Sequence, residues 1–161
     1  LARHANNRNV WRNLRDLFPY PYTEADAVAF IDKARAQSPE RLYAIEVAGE
    51  AAGAVGIAQR DDVERISAEI GYWLGEPFWG HGIMTEVVRA VTRHALGTFG
   101  LTRVFAVPYE WNPASFRVLE KAGYVCEGVL QRSVIKDGQI IGQRLYAFVV
   151  DAPGQLPPEH D

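Results

Sequence analysis

Hydrophobic positions recur along the chain with two periods, and the points where one gives way to the other divide it into elements. Val10, Trp11, Leu14, Leu17 and Phe18 fall at helical spacing, which predicts a first helix ending at Pro19. A loop of prolines and aromatics follows, from Phe18 to Tyr22. Thr23 reads as an N-cap, and Asp26 three residues on closes a capping box. Ala27, Phe30, Ile31 and Ala34 supply the apolar stripe of this second helix. From Arg41 the period falls towards two. Residues 42–47 and 54–58 read as strands of an antiparallel hairpin turning around Gly49, and Asp61, Asp62 and Glu64 mark the loop beyond it.

Residues 66–74 alternate without a break. Ile66, Ala68, Ile70, Tyr72 and Leu74 share one face, and Ser67, Glu69, Gly71 and Trp73 share the other. Gly75-Glu76-Pro77 stops that strand, and Trp79-Gly80-His81-Gly82 opens a helix whose Met84, Val87, Val88, Val91 and Ala95 form an apolar stripe. A short strand is predicted over 102–107. Asn112-Pro113 is a helix start, with Asn as N-cap and Pro in the first helical position. Val118, Leu119 and Ala122 form the buried stripe of that helix, and Gly123 is its left-handed stop. A long hairpin, 124–135 and 139–150, turns at Asp137-Gly138. The order α-α-β-β-β-α-β-α-β-β, with hairpins on either side of a strand-helix-strand unit, predicts an α/β (α+β) fold with a mixed sheet. The tail from Asp151 carries three prolines and three acids and is expected to lack fixed structure. The chain opens at Leu1, inside a helical pattern, so an N-terminal segment is expected to be missing.

Composition narrows the function classes. With 161 residues and 18.0 kDa, one domain over residues 1–150 is expected. Seventeen Lys+Arg against twenty Asp+Glu give a net charge of −3, and no basic run stands out, which argues against a nucleic-acid partner. The lone cysteine, Cys126, excludes an intramolecular disulfide and a cysteine-rich zinc site. His4, His81, His94 and His160 lack metal-ligand spacing, so no metal is expected. No apolar run approaches the roughly 18 residues of a membrane span and no signal-peptide pattern opens the chain, so a cytoplasmic protein without a membrane partner is the expectation.

Three places could carry chemistry. Two glycines at the mouth of a helix, Gly80 and Gly82, free backbone N–H groups to face an anion such as a pyrophosphate; the alternative is a tight strand-to-helix turn without a ligand. Neither the dinucleotide fingerprint nor the Gly-Lys-Ser/Thr phosphate loop is met. Glu69 lies in mid-strand, where a carboxylate serves either as a general base beside an amine or as a cleft carboxylate paired with an arginine. Asn112 is a cap whatever else it does, and Ser115 is either a proton donor or an ordinary first-turn serine. Tyr124 reads as packing against a helix end, His81 as solvent-facing, and Cys126 as a small buried filler rather than a nucleophile. The loop 18–22 is either a lid over a cleft or packing over the sheet end.

The run EIGYWLGEPFWGHGIMTEVVRAV, followed by NPASFRVLEKAGY and closed by VLQRSVIKDGQIIGQRLYAFV, resembles the GNAT superfamily of acyl-CoA-dependent N-acetyltransferases. Within it the chain is most similar to the RimJ/RimL type, which acetylates N-termini of ribosomal proteins. The resemblance covers nearly all of residues 9–150, and its motifs are specific in combination. It implies a mixed central sheet with helices on both faces and splayed central strands holding acetyl-CoA as co-substrate. It assigns the pyrophosphate to Gly80, His81, Gly82, Ile83, Met84 and Thr85, beside Trp79, and the pantetheine arm to Leu74 and Asn112. It makes Ser115 the acid that protonates the departing thiolate, and Glu69 a carboxylate near the acceptor amine. Trp79 stands where Gln or Arg is usual in the superfamily, Met84 where Gly or Ala is usual, and Gly142 where Asp is common; the superfamily's first strand is absent. The implied reaction is direct acetyl transfer to a primary amine, chiefly a protein N-terminal α-amino group. The alternatives are a small amine (polyamine, antibiotic or amino acid), or a non-catalytic acyl-CoA-binding module. A homodimer is compatible with the pattern.

Overall fold

The computed structural model describes residues 1–156. The elements are α1 (Ala2–Ala5), α2 (Arg8–Trp11), α3 (Glu24–Arg35), β1 (Leu42–Val47), β2 (Glu50–Gln59), β3 (Ser67–Leu74), α4 (Ile83–Phe99), β4 (Arg103–Ala106), α5 (Pro113–Lys121), β5 (Val125–Lys136) and β6 (Gln139–Val149). Local signals set most of their ends. Thr23 and Asp26 form the reciprocal capping box at the start of α3. Asn112 caps α5, and Gly123 takes the left-handed conformation beyond it. Both hairpins turn on two residues of positive φ, Ala48-Gly49 and Asp137-Gly138, the geometry that matches the twist of paired strands. Pairing therefore runs right up to the first turn, and β2 begins at Glu50 rather than at residue 54.

The six strands form one sheet in the order β1-β2-β3-β4-β6-β5. β3 and β4 are parallel, and the other neighbours are antiparallel. A parallel pair needs a crossover, and α4 supplies it on one face. There Ala68, Ile70 and Leu74 of β3 pack with Met84, Val88 and Leu96 of α4, Leu119 of α5, and Tyr146 of β6. On the opposite face Trp73 of β3 and Ala54 of β2 pack with Ala5, Val10, Tyr22 and Ala27 from the N-terminal helices and loop. The result is a mixed α/β sheet covered on both sides, as the resemblance implied.

The N-terminal region departs from its pattern. The expected first helix is replaced by two single turns, α1 and α2, and residues 12–22 are not helical. The causes are local: the Asn7 side chain accepts from the N–H groups of Asn9 and Val10 and so separates α2 from α1, and beyond α2 the Asn13 side-chain amide donates to the Asn9 carbonyl at 2.9 Å while its backbone N–H turns to the Val10 carbonyl at 3.1 Å. Leu17, assigned to the apolar stripe, is 94% exposed. Ile31 is likewise exposed, so α3 buries only Ala27 fully. In the tail, residues 152–155 form a turn and Leu156 lies against Gly97 of α4; residues 157–161, also expected to lack fixed structure, are outside the described residues.

These two placements predict opposite mutational outcomes. Leu96→Ala, at a fully buried site, is expected to cost about 2–5 kcal/mol. Leu17→Ser is expected to change stability by less than about 0.5 kcal/mol. Urea unfolding of both variants checks them; equal losses would contradict the N-terminal geometry.

Candidate active site

The glycine turn is held to the end of β3 by its own tryptophan. Gly75 N–H donates to the Ala52 carbonyl at 2.8 Å, closing the β2–β3 ladder. A single 3₁₀ turn, Glu76–Phe78, then reverses the chain, and the Trp79 indole N–H donates back to the Leu74 carbonyl at 2.7 Å. Gly80 and Gly82 follow at φ +80° and +79°, with open space where a Cβ would stand; the backbone conformation is therefore what asks for glycine. α4 starts at Ile83, and its first backbone bonds run from Thr85 and Glu86 to the Gly82 carbonyl. The N–H groups of residues 80–84 have no backbone acceptor among the described residues. Five consecutive donors thus stand at the positive end of a 17-residue helix. His81 is exposed beside them, while Met84 and Thr85 are buried.

Beside this turn the sheet opens. β3 and β4 pair over only three positions, from Ser67↔Arg103 to Glu69↔Phe105. β3 runs on to Leu74 bonded to β2 alone, and the chain after β4 leans towards β6, where Arg144 N–H donates to the Pro108 carbonyl at 3.0 Å. Because the bonds to β2 alternate from Gly75, the N–H and C=O groups of Tyr72 and Leu74 face the gap. On the α4–α5 side of the gap, the Ser115 hydroxyl and the Tyr72 phenol are hydrogen-bonded at 2.7 Å. Asn112 Oδ1 accepts from the Ser115 N–H at 3.3 Å, which sets the first turn of α5. Burial pushes the Tyr72 phenol above the usual tyrosine range, with the Ser115 bond opposing it weakly.

Glu69 lies on the opposite face, as its parity requires. Its side chain is 18% exposed, and each oxygen meets a guanidinium: Arg15 Nη2 at 2.5 Å from Oε1 and Arg60 Nη2 at 3.6 Å from Oε2. Glu69 and Ser115 are therefore not in contact; the gap between β3 and β4 separates them. Arg15 sits on a strap anchored on both sides. The Tyr109 phenol donates to the Leu14 carbonyl at 3.3 Å, and Lys136 Nζ reaches Asp16 Oδ1 at 2.7 Å. Lys136 is 1% exposed and lies 3.7 Å from the Trp11 ring centroid.

Sequence reasoning missed Tyr72 as the partner of Ser115, although its parity with Ile70 and Leu74 pointed to that face. Arg15, Arg60, Tyr109 and Lys136 carried no local signal at all. The loop 18–22 packs on the sheet, with Phe18 5.6 Å from Trp73 and Tyr22 buried. Tyr124 is buried and bonds Thr92 at 2.6 Å. Cys126 is exposed on β5, not the buried filler expected, because β5 is an edge strand with both faces largely open. Among the described residues no group of three or more His, Cys, Asp or Glu could hold a metal, and no helix is long and apolar enough to cross a membrane.

Residues 1–125 match the family model of the acetyltransferase (GNAT) domain. The chain belongs to the GNAT family. Over 100 residues it is 29% identical to the ribosomal-protein-serine acetyltransferase of Escherichia coli strain K12, covering 61% of this chain and 56% of that protein. Over 158 residues it is 25% identical to the spermidine N(1)-acetyltransferase of the same strain, covering 93% and 83%. The chain spans about half the length of the first curated relatives it matches. Its fold superposes on RimL, an alpha-N-protein acetyltransferase in complex with coenzyme A, with a TM-score of 0.80 at 22% identity over 94% of this chain and 87% of that one. The GNAT match covers β3, the glycine turn and α5, whereas the β5–β6 hairpin that buries Lys136 lies beyond it.

Two phenols withdrawn from water, Tyr72 half-buried and Tyr124 buried, make the fold sensitive to alkali. Burial raises both Tyr72 and Tyr124, so above pH about 10 the unfolded chain ionises them and the folded chain does not. Stability is expected to hold below that pH and fall above it. In Tyr72→Phe the fall should be shallower, after a loss of about 1 kcal/mol at neutral pH for the missing bond to Ser115. Urea midpoints measured from neutral pH into the alkaline range check both effects.

Proposed function

We propose that this GNAT chain is an acyl-CoA-dependent N-acetyltransferase of the RimJ/RimL type, its residues 1–150 forming one catalytic domain. In this reading it works in the cytoplasm and transfers acetyl from acetyl-CoA to a primary amine, chiefly a protein N-terminal α-amino group. The observation that carries the reading is the row of unpaired N–H groups, residues 80–84, opening beside the gap between β3 and β4. Such donors at a helix N-terminus fit a pyrophosphate.

Gly80, His81, Gly82, Ile83, Met84 and Thr85 would hold the pyrophosphate, with Trp79 fixing the turn. The Trp79 indole already occupies the Leu74 carbonyl, which leaves the Leu74 N–H as the strand-end donor towards the pantetheine arm and the thioester oxygen. Asn112 spends its side-chain oxygen on the cap of α5 and keeps its amide N–H₂ for the same arm. Acetyl-CoA supplies the activated acyl group. Ser115, bonded to Tyr72, stands on the coenzyme side of the gap as the proton donor to the thiolate. Glu69 stands on the other side, where the amine arrives. The two faces thus divide the work: the acid on one, the amine-binding carboxylate on the other, and direct transfer between them. An α-amine, with a pKa of about 7.7–8.0, is partly neutral at pH 7, so Glu69 has less to do than for a lysine near 10.4. A small amine is the second reading, because the match to a spermidine acetyltransferase spans 93% of the chain.

Acetyl-CoA at a hundred times its Kd is expected to stabilise the protein by about 2.7 kcal/mol. Gly82→Glu should abolish the rise in melting temperature, and His81→Glu should do so without placing a side chain at a left-handed position. Unchanged coenzyme affinity in the folded His81→Glu protein would overturn the pyrophosphate assignment. Ser115→Ala should lower kcat by about 10²-fold with little change in KM for acetyl-CoA. Full activity in this variant would remove Ser115 from the reaction and leave the coenzyme site standing.

A further inference from the structure

Glu69 is flanked by two guanidiniums, and the balance of charge around it bears on which amines can enter. We propose that Arg15, Glu69 and Arg60 form an acceptor subsite that selects amines carrying an anionic group close to the amine and rejects polycationic amines. The inference rests on the acetyltransferase reading and extends it to the acceptor's chemistry.

An ammonium approaching Glu69 meets a guanidinium at each carboxylate oxygen, Arg15 hydrogen-bonded to Oε1 and Arg60 at 3.6 Å from Oε2, and competes with them for it. Arg15 is the one that gives way. Its side chain is 67% exposed against 47% for Arg60, and Arg60 is further held over the Phe105 ring at 5.2 Å. Once displaced, Arg15 cannot depart, because its backbone is pinned: Tyr109 holds the Leu14 carbonyl, Lys136 holds Asp16, and the Arg15 carbonyl accepts the Phe18 N–H at 2.9 Å. Its charge therefore stays beside the bound amine, within the roughly 8 Å over which charges interact at physiological salt.

Counting charges gives the selectivity. Glu69 neutralises one ammonium, and two guanidiniums then remain next to it. Asp16, the carboxylate on the strap itself, is already taken by Lys136. The subsite with its amine bound thus carries an excess of positive charge, which repels a second ammonium and attracts a carboxylate or phosphate a few atoms away. A peptide whose first residues include an acidic side chain meets both demands, and so does an acidic amino acid; spermidine meets neither.

Steady-state acetylation by the full chain at saturating acetyl-CoA, followed by thiol release, tests this. The acceptors are three peptides of one N-terminal residue differing only at the second and third positions (both Asp, both Gln or both Lys), together with free aspartate and spermidine. The Asp peptide is expected to exceed the Gln peptide in kcat/KM by about fivefold, and the Lys peptide and spermidine to fall below it by a similar factor, through KM. Free aspartate falling with the Gln peptide would assign the subsite to peptides, and aspartate matching the Asp peptide would assign it to small acidic amines; either supports the charge rule. Arg15→Gln should lower KM for the Gln peptide, because one competing cation is removed, and compress the Asp-to-Lys ratio towards one. Arg15→Lys should restore that ratio, an outcome a merely structural ion pair would not produce. Roughly 1 M salt should compress the ratio in the parent protein. Equal kcat/KM across the peptides, preference for spermidine, or a ratio unmoved by Arg15→Gln would overturn the inference while leaving the acetyltransferase reading intact. Failure to acetylate any amine, with no binding of acetyl-CoA, would overturn both.

Discussion

The shortness of one strand pairing governs the rest of the molecule. β3 and β4 share three residue pairs and then part. Had the ladder continued to Leu74, the N–H and C=O groups of Tyr72 and Leu74 would be spent on a neighbouring strand, and the sheet would offer no passage from one face to the other. Parting the strands leaves those groups unmatched, a costly arrangement in a protein interior unless something polar meets them. The Trp79 indole meets one of them, the Leu74 carbonyl. That single bond also ties the glycine turn to the strand end, so the donors of α4 and the open edge of β3 are set by one side chain.

The gap also explains why the proposed functional groups occupy two faces. Strand alternation sends Glu69 to the side of the N-terminal segment and Tyr72 to the side of α5. Residues three apart on β3 thus serve different layers, one meeting Arg15 and Arg60, the other meeting Ser115.

Much of this was legible along the chain, for reasons that are local. The Thr23 capping box, the turns around Gly49 and at Asp137-Gly138, and the Asn112-Pro113 helix start all act within four residues, and all formed, although the strand after Gly49 starts four residues earlier than its pattern suggested. The alternation of residues 66–74 named both faces of β3 correctly. The first helix failed because periodicity registers apolar spacing, whereas the Asn13 side chain takes the Asn9 carbonyl that the next helical turn would use. The partners of Glu69 and Lys136 were invisible, since those contacts span 54 and 120 residues for Arg15–Glu69 and Lys136–Asp16. An arginine was named as one reading of Glu69, yet nothing local could say which arginine, or that there would be two.

The Lys136–Asp16 contact has a further consequence in time. A chain made from its N-terminus exposes the strap 120 residues before the lysine that secures it, which comes only at the end of β5. The glycine turn, β3, α4 and α5 find hydrogen-bonding partners ahead of the final hairpin, β3 in β2 and β4, Trp79 in Leu74 and Ser115 in Tyr72, so the hydrogen bonds of the proposed coenzyme side can form before that hairpin is made. During synthesis, with N-terminal parts folding first, the half proposed to meet coenzyme can assemble early, and the half proposed to meet the amine has to wait for the C-terminal hairpin.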